Sequence, residues 1–242
     1  GEARRWGVAV SLHAPYYISL SSTEPEKRLR SIDYIVQSAR AVTAMGGDRI
    51  VVHPGGSQKL SRIQALEMAR GTLREAWQAL DDQGLGQVHL CMETMGRPGQ
   101  LGTLEEILSL CELDERMLPC VDFGHLHTRS FGGLKTYEDY ARIFHSMENK
   151  LGADRTRRFH AHFSKIEYSV PGGERRHLTF ADDVYGPDFE PVAELTVRMG
   201  CSPVFICESS GTQAEDAAKM KDIYERVLRS GESGSELAEK PI

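Results

Sequence analysis

Seven ionisable side chains recur in this chain at positions where they could act together on one substrate or cation. They are His13, His53, Glu93, Asp122, His125, His162 and Glu208. Each lies late in a short apolar run. The runs are GVAVSLHA (7–14), DRIVVHPG (48–55), QVHLCMET (87–94), MLPCVDFGH (117–125), RFHAHFSK (158–165) and SPVFICESS (202–210). A lone histidine ending a strand is usually a hydrogen-bonded structural residue. Six runs ending this way are harder to assign to packing. Acids and imidazoles gathered in one dry place are costly unless a cation compensates them. A mixed imidazole and carboxylate set suits zinc or manganese, with iron as a further option, and the lack of cysteine donors argues against a closed structural zinc site. One zinc takes only three or four ligands, so two or more metals are expected.

Such convergence needs a scaffold that aims strand ends at one place. Amphipathic segments separate the runs, and the pattern of strand then helix repeats six times, which predicts a parallel α/β architecture. The runs are apolar on both faces, as in a buried parallel sheet. The first long helix is expected to start after Ser22-Thr23 as a cap and to end at the glycine pair 46–47. The next carries Ile63, Leu66, Ala69, Leu73 and Trp77 at helical spacing. Successive candidate ligands lie roughly 40 residues apart, one βα unit each. In a βα barrel all carboxyl ends open on one mouth; in an open doubly wound sheet they would be strung along an edge. The expected fold is therefore a (βα)8 TIM barrel, of which about six units are visible. No linker or change of composition breaks residues 1–242, and a single domain is expected.

The bulk properties narrow the setting. The chain has 242 residues and a formal net charge of −6, which argues weakly against a general polyanion binder while leaving room for a local basic groove. No apolar run approaches the ~20 residues that span a bilayer, and the start lacks the features of a signal peptide. Five cysteines without a CxxC pair predict reduced core thiols and a cytoplasmic location.

The motifs HPG (53–55), ET (93–94), VDFGH (121–125), HFSK (162–165) and CES (207–209) resemble those of the endonuclease IV family, within the xylose-isomerase-like TIM-barrel superfamily. That family comprises zinc-dependent apurinic/apyrimidinic endonucleases of base-excision repair, which cut the DNA phosphodiester 5′ to an abasic site. The resemblance implies that His13 and His53 hold a first metal, that Glu93 bridges it to a second, and that Asp122, His162 and Glu208 complete the second. It implies a third metal on His125 and on an Asp-x-His motif. His177 fits that histidine, but Arg175 stands at the aspartate position, with Glu174 one residue further away as a tentative ligand. Two or three Zn2+ are implied, with Mn2+ or Fe2+ as alternatives. Glu93 and Glu208 are the implied catalytic carboxylates. Tyr16 matches a tyrosine that enters DNA at the lesion, Tyr17 is its neighbour, and Lys165 is a candidate phosphate contact. The implied partner is DNA containing abasic sites, met by a monomer. His13 ends the third strand in that family, so its first two βα units have no counterpart here. An incomplete barrel, or one whose sheet edges are covered, is expected.

The other histidines have plainer readings: His89 in the core, His145 on a helix surface, His160 beside His162, and His127 in a loop after the metal motif. Two other functions compete. A sugar isomerase or epimerase would use Glu93, Asp122, His162 and Glu208 as one metal quartet. A non-catalytic metal- or DNA-binding homologue would keep ligands without turnover. The pair His13 and His53 favours the nuclease, because an isomerase has no general need of a second histidine-bound metal.

Overall fold

The computed structural model describes residues 1–170 and 172–238, with 231–238 as backbone alone. Its internal contacts separate two compact units, Gly1–Asp122 and a second that begins at Phe123. The division falls inside the VDFGH motif.

The first unit holds α1 (Glu2–Arg5), β1 (Ser11–His13), α2 (Pro25–Met45), β2 (Arg49–Val52), α3 (Arg62–Asp82), β3 (His89–Glu93), α4 (Leu104–Cys111) and β4 (Leu118–Asp122). The four strands pair in order, all parallel. The register aligns His13 with Val51, Val51 with Cys91 and Cys91 with Leu118, so these side chains share a face. Val51, Cys91, Leu118 and Cys120 form a buried apolar cluster on it. Two residues further along each strand, the same alternation delivers His53 and Glu93 to that face. Ile50, Leu90 and Met92 point the other way and are fully buried.

The helices form where the pattern predicts, with local differences. The N-cap of α2 is Glu24 rather than Ser22 or Thr23 and makes no side-chain cap bond. Pro25 at the first position sets the helical φ, and Ser22 Oγ accepts from the Glu24 N–H at 3.2 Å instead. Gly46 ends the helix in the left-handed conformation, as the glycine pair predicts. The buried stripe of α3 runs through Ala65, Ala69, Leu73, Ala76, Trp77 and Leu80, and Ile63 lies outside it at 78% exposure. Capping boxes at Ser61/Gln64 and Thr103/Glu106 start α3 and α4. Arg62 joins the two helices through Glu106 at 2.6 Å.

The second unit holds α5 (Phe123–Arg129), α6 (Tyr137–Arg157), β5 (His160–Phe163), β6 (Ile166–Ser169), β7 (Gly173–His177), α7 (Glu190–Arg198), β8 (Val204–Cys207) and α8 (Gln213–Ala238). β5 and β8 are parallel, with His162 opposite Ile206. An antiparallel hairpin, β6 with β7, is an element the strand–helix alternation does not announce. The core is largely aromatic: Phe163 meets Phe123, Phe180 and Phe189 at centroid distances of 5.0–6.2 Å. Each side of these contacts excludes a large area from water. The six predicted strands are all present, four in the first unit and two in the second, and the fold class is the α/β TIM barrel. The five cysteines are free thiols. No helix among the described residues is long and apolar enough to cross a membrane.

Asp216, 1% exposed, fastens the start of α8 to the preceding loops. Its carboxylate accepts from the Phe180 N–H at 2.9 Å, from Thr212 Oγ1 at 2.8 Å and from Lys219 Nζ at 2.8 Å. Burial alone would raise its pKa, but these bonds outweigh it and hold the group at about 2, against 3.8 ordinarily. A depressed acid contributes stability above its unfolded pKa and loses it as pH falls through the folded one. Asp216→Asn should therefore cost about 2 kcal/mol at neutral pH. Urea titrations should show the gap between wild type and variant narrowing as pH falls from about 4 towards 2. A gap independent of pH would sink this account.

Candidate metal centre

The first unit places His13 at the end of β1, His53 just after β2 and Glu93 at the end of β3. Parallel pairing brings these ends together. Nε2 of His13 lies 3.1 Å from Glu93 Oε2, and Nε2 of His53 lies 2.9 Å from the same oxygen. The two rings meet edge to face with centroids 4.8 Å apart. The ligand atoms of all three residues lie within 4.8 Å of one another. Glu93 is 1% exposed.

The hydrogen bonding of this cluster tests whether a cation fits. His13 Nδ1 is 2.7 Å from the carbonyl oxygen of Ala14. A carbonyl only accepts, so Nδ1 carries a proton. A neutral ring then turns the lone pair of Nε2 on the Glu93 carboxylate. Two acceptors 3.1 Å apart need a proton or a cation between them. Metal-bound histidines commonly donate their other N–H to a backbone carbonyl, which fixes the tautomer and aims the free lone pair. The residues fit a divalent cation with two imidazoles and one carboxylate oxygen.

The loops hold this geometry. Ser21 Oγ donates to the Gly56 carbonyl at 2.7 Å, and Thr72 Oγ1 donates to the Leu20 carbonyl at 2.8 Å. Gly55, at φ +95°, passes so close to Ser19 and Ser21 that a Cβ there would lie 3.1 Å from both hydroxyl oxygens. Only glycine suits that position, which accounts for the second residue after His53. At the end of β4, Asp122 is fully buried. Its N–H donates to Thr94 Oγ1 at 2.9 Å, and that hydroxyl donates to the Asp122 carbonyl at 3.2 Å. Thr94, the residue after Glu93, thus fixes the backbone of a second candidate ligand. Its residue type alone does not mark it for that role; a hydroxyl directly after a strand-end carboxylate was the available signal.

In the second unit His162 lies on β5 and Glu208 directly follows β8. Their side chains pair, Nδ1 to Oε1, at 3.2 Å. The Glu208 N–H donates to the Phe163 carbonyl at 3.0 Å, which continues the ladder one step past the strand. His160 sits two residues before His162, on the same face, with ring centroids 5.4 Å apart. His125, Glu174 and His177 form a separate cluster with ligand atoms within 4.8 Å. His125 and His127 are on α5, a helix that begins at Phe123, rather than on a strand end or in a loop. His127 packs edge to face on Tyr168, and burial lowers its pKa.

The Glu174 arrangement comes from a β-bulge. β7 pairs Arg176 with Glu167 and then Glu174 with Tyr168, so Arg175 is the extra residue. The bulge turns Arg175 outward to Glu167 at 3.1 Å and brings Glu174 Oε2 to 3.5 Å from His125 Nε2. Ser164 Oγ lies 2.8 Å from His177 Nδ1 and fixes that ring. An open cleft of about 780 Å³, lined in part by His177, Glu208 and Ser210, adjoins these residues.

The remaining candidates lie elsewhere. Tyr16 and Tyr17 are 77% and 60% exposed on the loop after β1. Lys165 donates its ammonium to the carbonyl of Asp182. His145 is exposed on α6. His89 opens β3 half-buried, its Nδ1 2.9 Å from the Arg116 carbonyl.

Imidazole–carboxylate clusters thus lie at the carboxyl ends of parallel strands, with donor sets that fit a divalent cation. The chain belongs to the xylose isomerase-like TIM barrel family, whose pattern matches residues 2–229. It is 33% identical over 214 residues to the uncharacterized protein MJ0133 of Methanocaldococcus jannaschii, covering 88% of this chain and 76% of that one. It is 27% identical over 183 residues to a probable endonuclease 4 of Mycoplasma pneumoniae, covering 73% of this chain and 60% of that protein's length. The solved structure of a D-tagatose 3-epimerase-like protein superposes with a TM-score of 0.71 at 20% identity, covering 95% of this chain and 82% of that one.

Two outcomes test the geometry. Thr94→Val, which keeps shape and removes both bonds to Asp122, should weaken metal binding about ten-fold by calorimetry, with Thr94→Ser restoring it. Glu174→Gln should lower the number of metal ions retained per chain, whereas Arg175→Ala should leave it unchanged. Loss of metal in the Arg175 variant would contradict the bulge assignment.

Proposed function

We propose that this protein is a metal-dependent endonuclease that hydrolyses the DNA phosphodiester 5′ to an abasic site. The observation that supports this most is the convergence of His13 and His53 on one oxygen of Glu93. An isomerase moving a proton between sugar carbons needs a cation on the substrate hydroxyls. A two-histidine set in addition to the isomerase quartet supplies donors for another cation. Similarity to a probable endonuclease 4 points the same way.

The proposed ligands are His13, His53 and Glu93 for one cation, and Glu93, Asp122, His162 and Glu208 for a second. His125, Glu174 and His177 would hold a third. Zinc suits these donors best, with Mn2+ or Fe2+ also accommodated. Bound cations would neutralise phosphate charge and lower the pKa of water to near neutrality. The chain's own groups do the rest. Glu93, with two imidazoles on one oxygen, would orient the attacking water, and Glu208, paired with His162, would take its proton as the P–O3′ bond breaks and the 3′ oxygen leaves to be protonated from solvent. Tyr16 and Tyr17 stand at the lip beside His13, where rings can fill the space of a missing base. Lys165, beside its bond to Asp182, has further N–H donors for phosphate. The partner is abasic DNA, and the working form is a monomer.

Metal content and strand nicking on an abasic duplex test the reading together. Two or three ions per chain with nicking are expected, and His53→Ala should abolish nicking while circular dichroism shows a retained fold. One ion per chain with turnover of ketoses would replace the nuclease by an epimerase. Metal without either activity would mark a binding protein.

A further inference from the structure

We propose, resting on the assignment of a third cation to His125, Glu174 and His177, that Ser164 is the positioning residue of that cluster. Its hydroxyl holds His177 in the tautomer that carries a proton on Nδ1 and leaves the Nε2 lone pair for a cation.

Ser164 directly follows β5 and is fully buried. Its Oγ lies 2.8 Å from His177 Nδ1. The contact does not depend on a loose loop. Ile166 pairs with His177 in the hairpin, and the Leu178 N–H donates to the Lys165 carbonyl at 2.7 Å. The backbone is therefore fixed beside the serine on one chain and at the histidine on the other. The same serine also supports the second imidazole. A Cβ on Gly124 would lie 2.7 Å from the Ser164 carbonyl oxygen, so α5 packs directly on this residue one position before His125.

The place of the proton follows from what faces Nδ1. Besides the hydroxyl, Glu208 Oε2 lies 3.9 Å from it. A lone pair on Nδ1 would be turned towards a carboxylate, whereas a proton there is attracted to one. The hydroxyl accepts from Nδ1–H, and the other ring nitrogen is left with its lone pair. That is the form a divalent cation requires. Histidine in water favours the opposite tautomer, so the hydrogen bond at Nδ1 decides which form is present. Glu208 stands beyond hydrogen-bond distance and belongs to the proposed ligands of another cation. The Ser164 hydroxyl is the acceptor within reach. For His13 the corresponding acceptor is the backbone carbonyl of Ala14, which no side-chain substitution removes. At His177 it is a side chain, and one substitution removes it.

The test follows the ring nitrogen-15 signals of the full chain labelled at histidine, with those of His177 assigned by their loss in His177→Gln. Before zinc is added, wild type should show Nδ1 protonated and Nε2 bare, and zinc should move the Nε2 signal. Ser164→Ala should shift His177 towards the Nε2–H form and weaken the binding of one zinc ion about ten-fold by calorimetry. Ser164→Thr, which keeps the hydroxyl, should restore both. A hydrogen bond with only a structural role would change stability and leave the tautomer where it was. Unchanged tautomer and zinc affinity in folded Ser164→Ala overturn the proposal, and so does a wild-type ring protonated on Nε2. If both effects appear in a protein that does not nick abasic DNA, the role of Ser164 stands and the nuclease reading falls. If wild type nicks and its His177 does not respond to zinc, the nuclease reading stands and the role of Ser164 falls.

Discussion

A carboxylate with 1% exposure sets the terms for the first unit. Removing a charge of this kind from water costs several kcal/mol unless partners compensate it. Glu93 has two imidazole nitrogens on one oxygen, and a proton or cation held between them is what meets that requirement. Those imidazoles come from the ends of two strands that parallel pairing sets side by side. Parallel pairing in strict order is what brings three strand ends within reach. The surrounding loops serve the same end. Gly55 leaves room for the serines of the preceding loop, Thr72 holds Leu20, and Ala14 fixes the tautomer of His13. A histidine held in this way is oriented before any cation arrives.

The second unit reaches similar donors by other means. His162 and Glu208 come from neighbouring parallel strands, as in the first unit. His125 and His177 do not: one lies on a helix that begins directly after Asp122, the other at the end of a hairpin strand. Strand alternation therefore cannot align them. A bulge does so, exchanging the outward and inward positions at Arg175 and Glu174. The Arg175 guanidinium, at the position where the resemblance implies an aspartate, is diverted to Glu167 at 3.1 Å. An acid is still delivered to the histidine pair, one residue away from where an uninterrupted strand would place it.

The sequence revealed the parallel strands and the polar residues that end them, the candidate ligands, because both follow from simple periodicities. A buried strand is an apolar run, and a ligand is the polar residue that ends it. The elements that stayed hidden lack such signals. α5 starts at Phe123 directly after the last residue of β4 and has only seven residues, so VDFGH reads as one strand although His125 is helical. β7 reads GERRH, polar throughout, and its bulge removes the alternation that would mark a strand. Ile63 fits the helical period on paper, yet it lies in the first turn of α3, outside the buried stripe. Periodicity identifies a face without saying how far along the helix the neighbour extends. The role of Glu174 was legible only as a near miss, since a one-residue shift leaves no mark in sequence.

The fold alone does not choose between phosphodiester and sugar chemistry, since a likeness at 20% identity to an epimerase-like protein reports backbone and not substrate. The discriminating information is in the donors. A sugar substrate brings neutral hydroxyls, and one cation suffices to polarise them. A phosphodiester brings negative charge that grows on both the attacking and leaving oxygens, and several cations are matched to that change. Among the described residues, the first unit invests two histidines and a buried glutamate in one cluster, and the second invests two histidines and a glutamate in another. Glu93 and His125 are the buried members of these clusters, and keeping them from water without a cation costs more than apolar side chains there would. The phosphodiester substrate proposed above would give that cost a use, and the exposed Tyr16 and Tyr17 after His13 suit the same proposal.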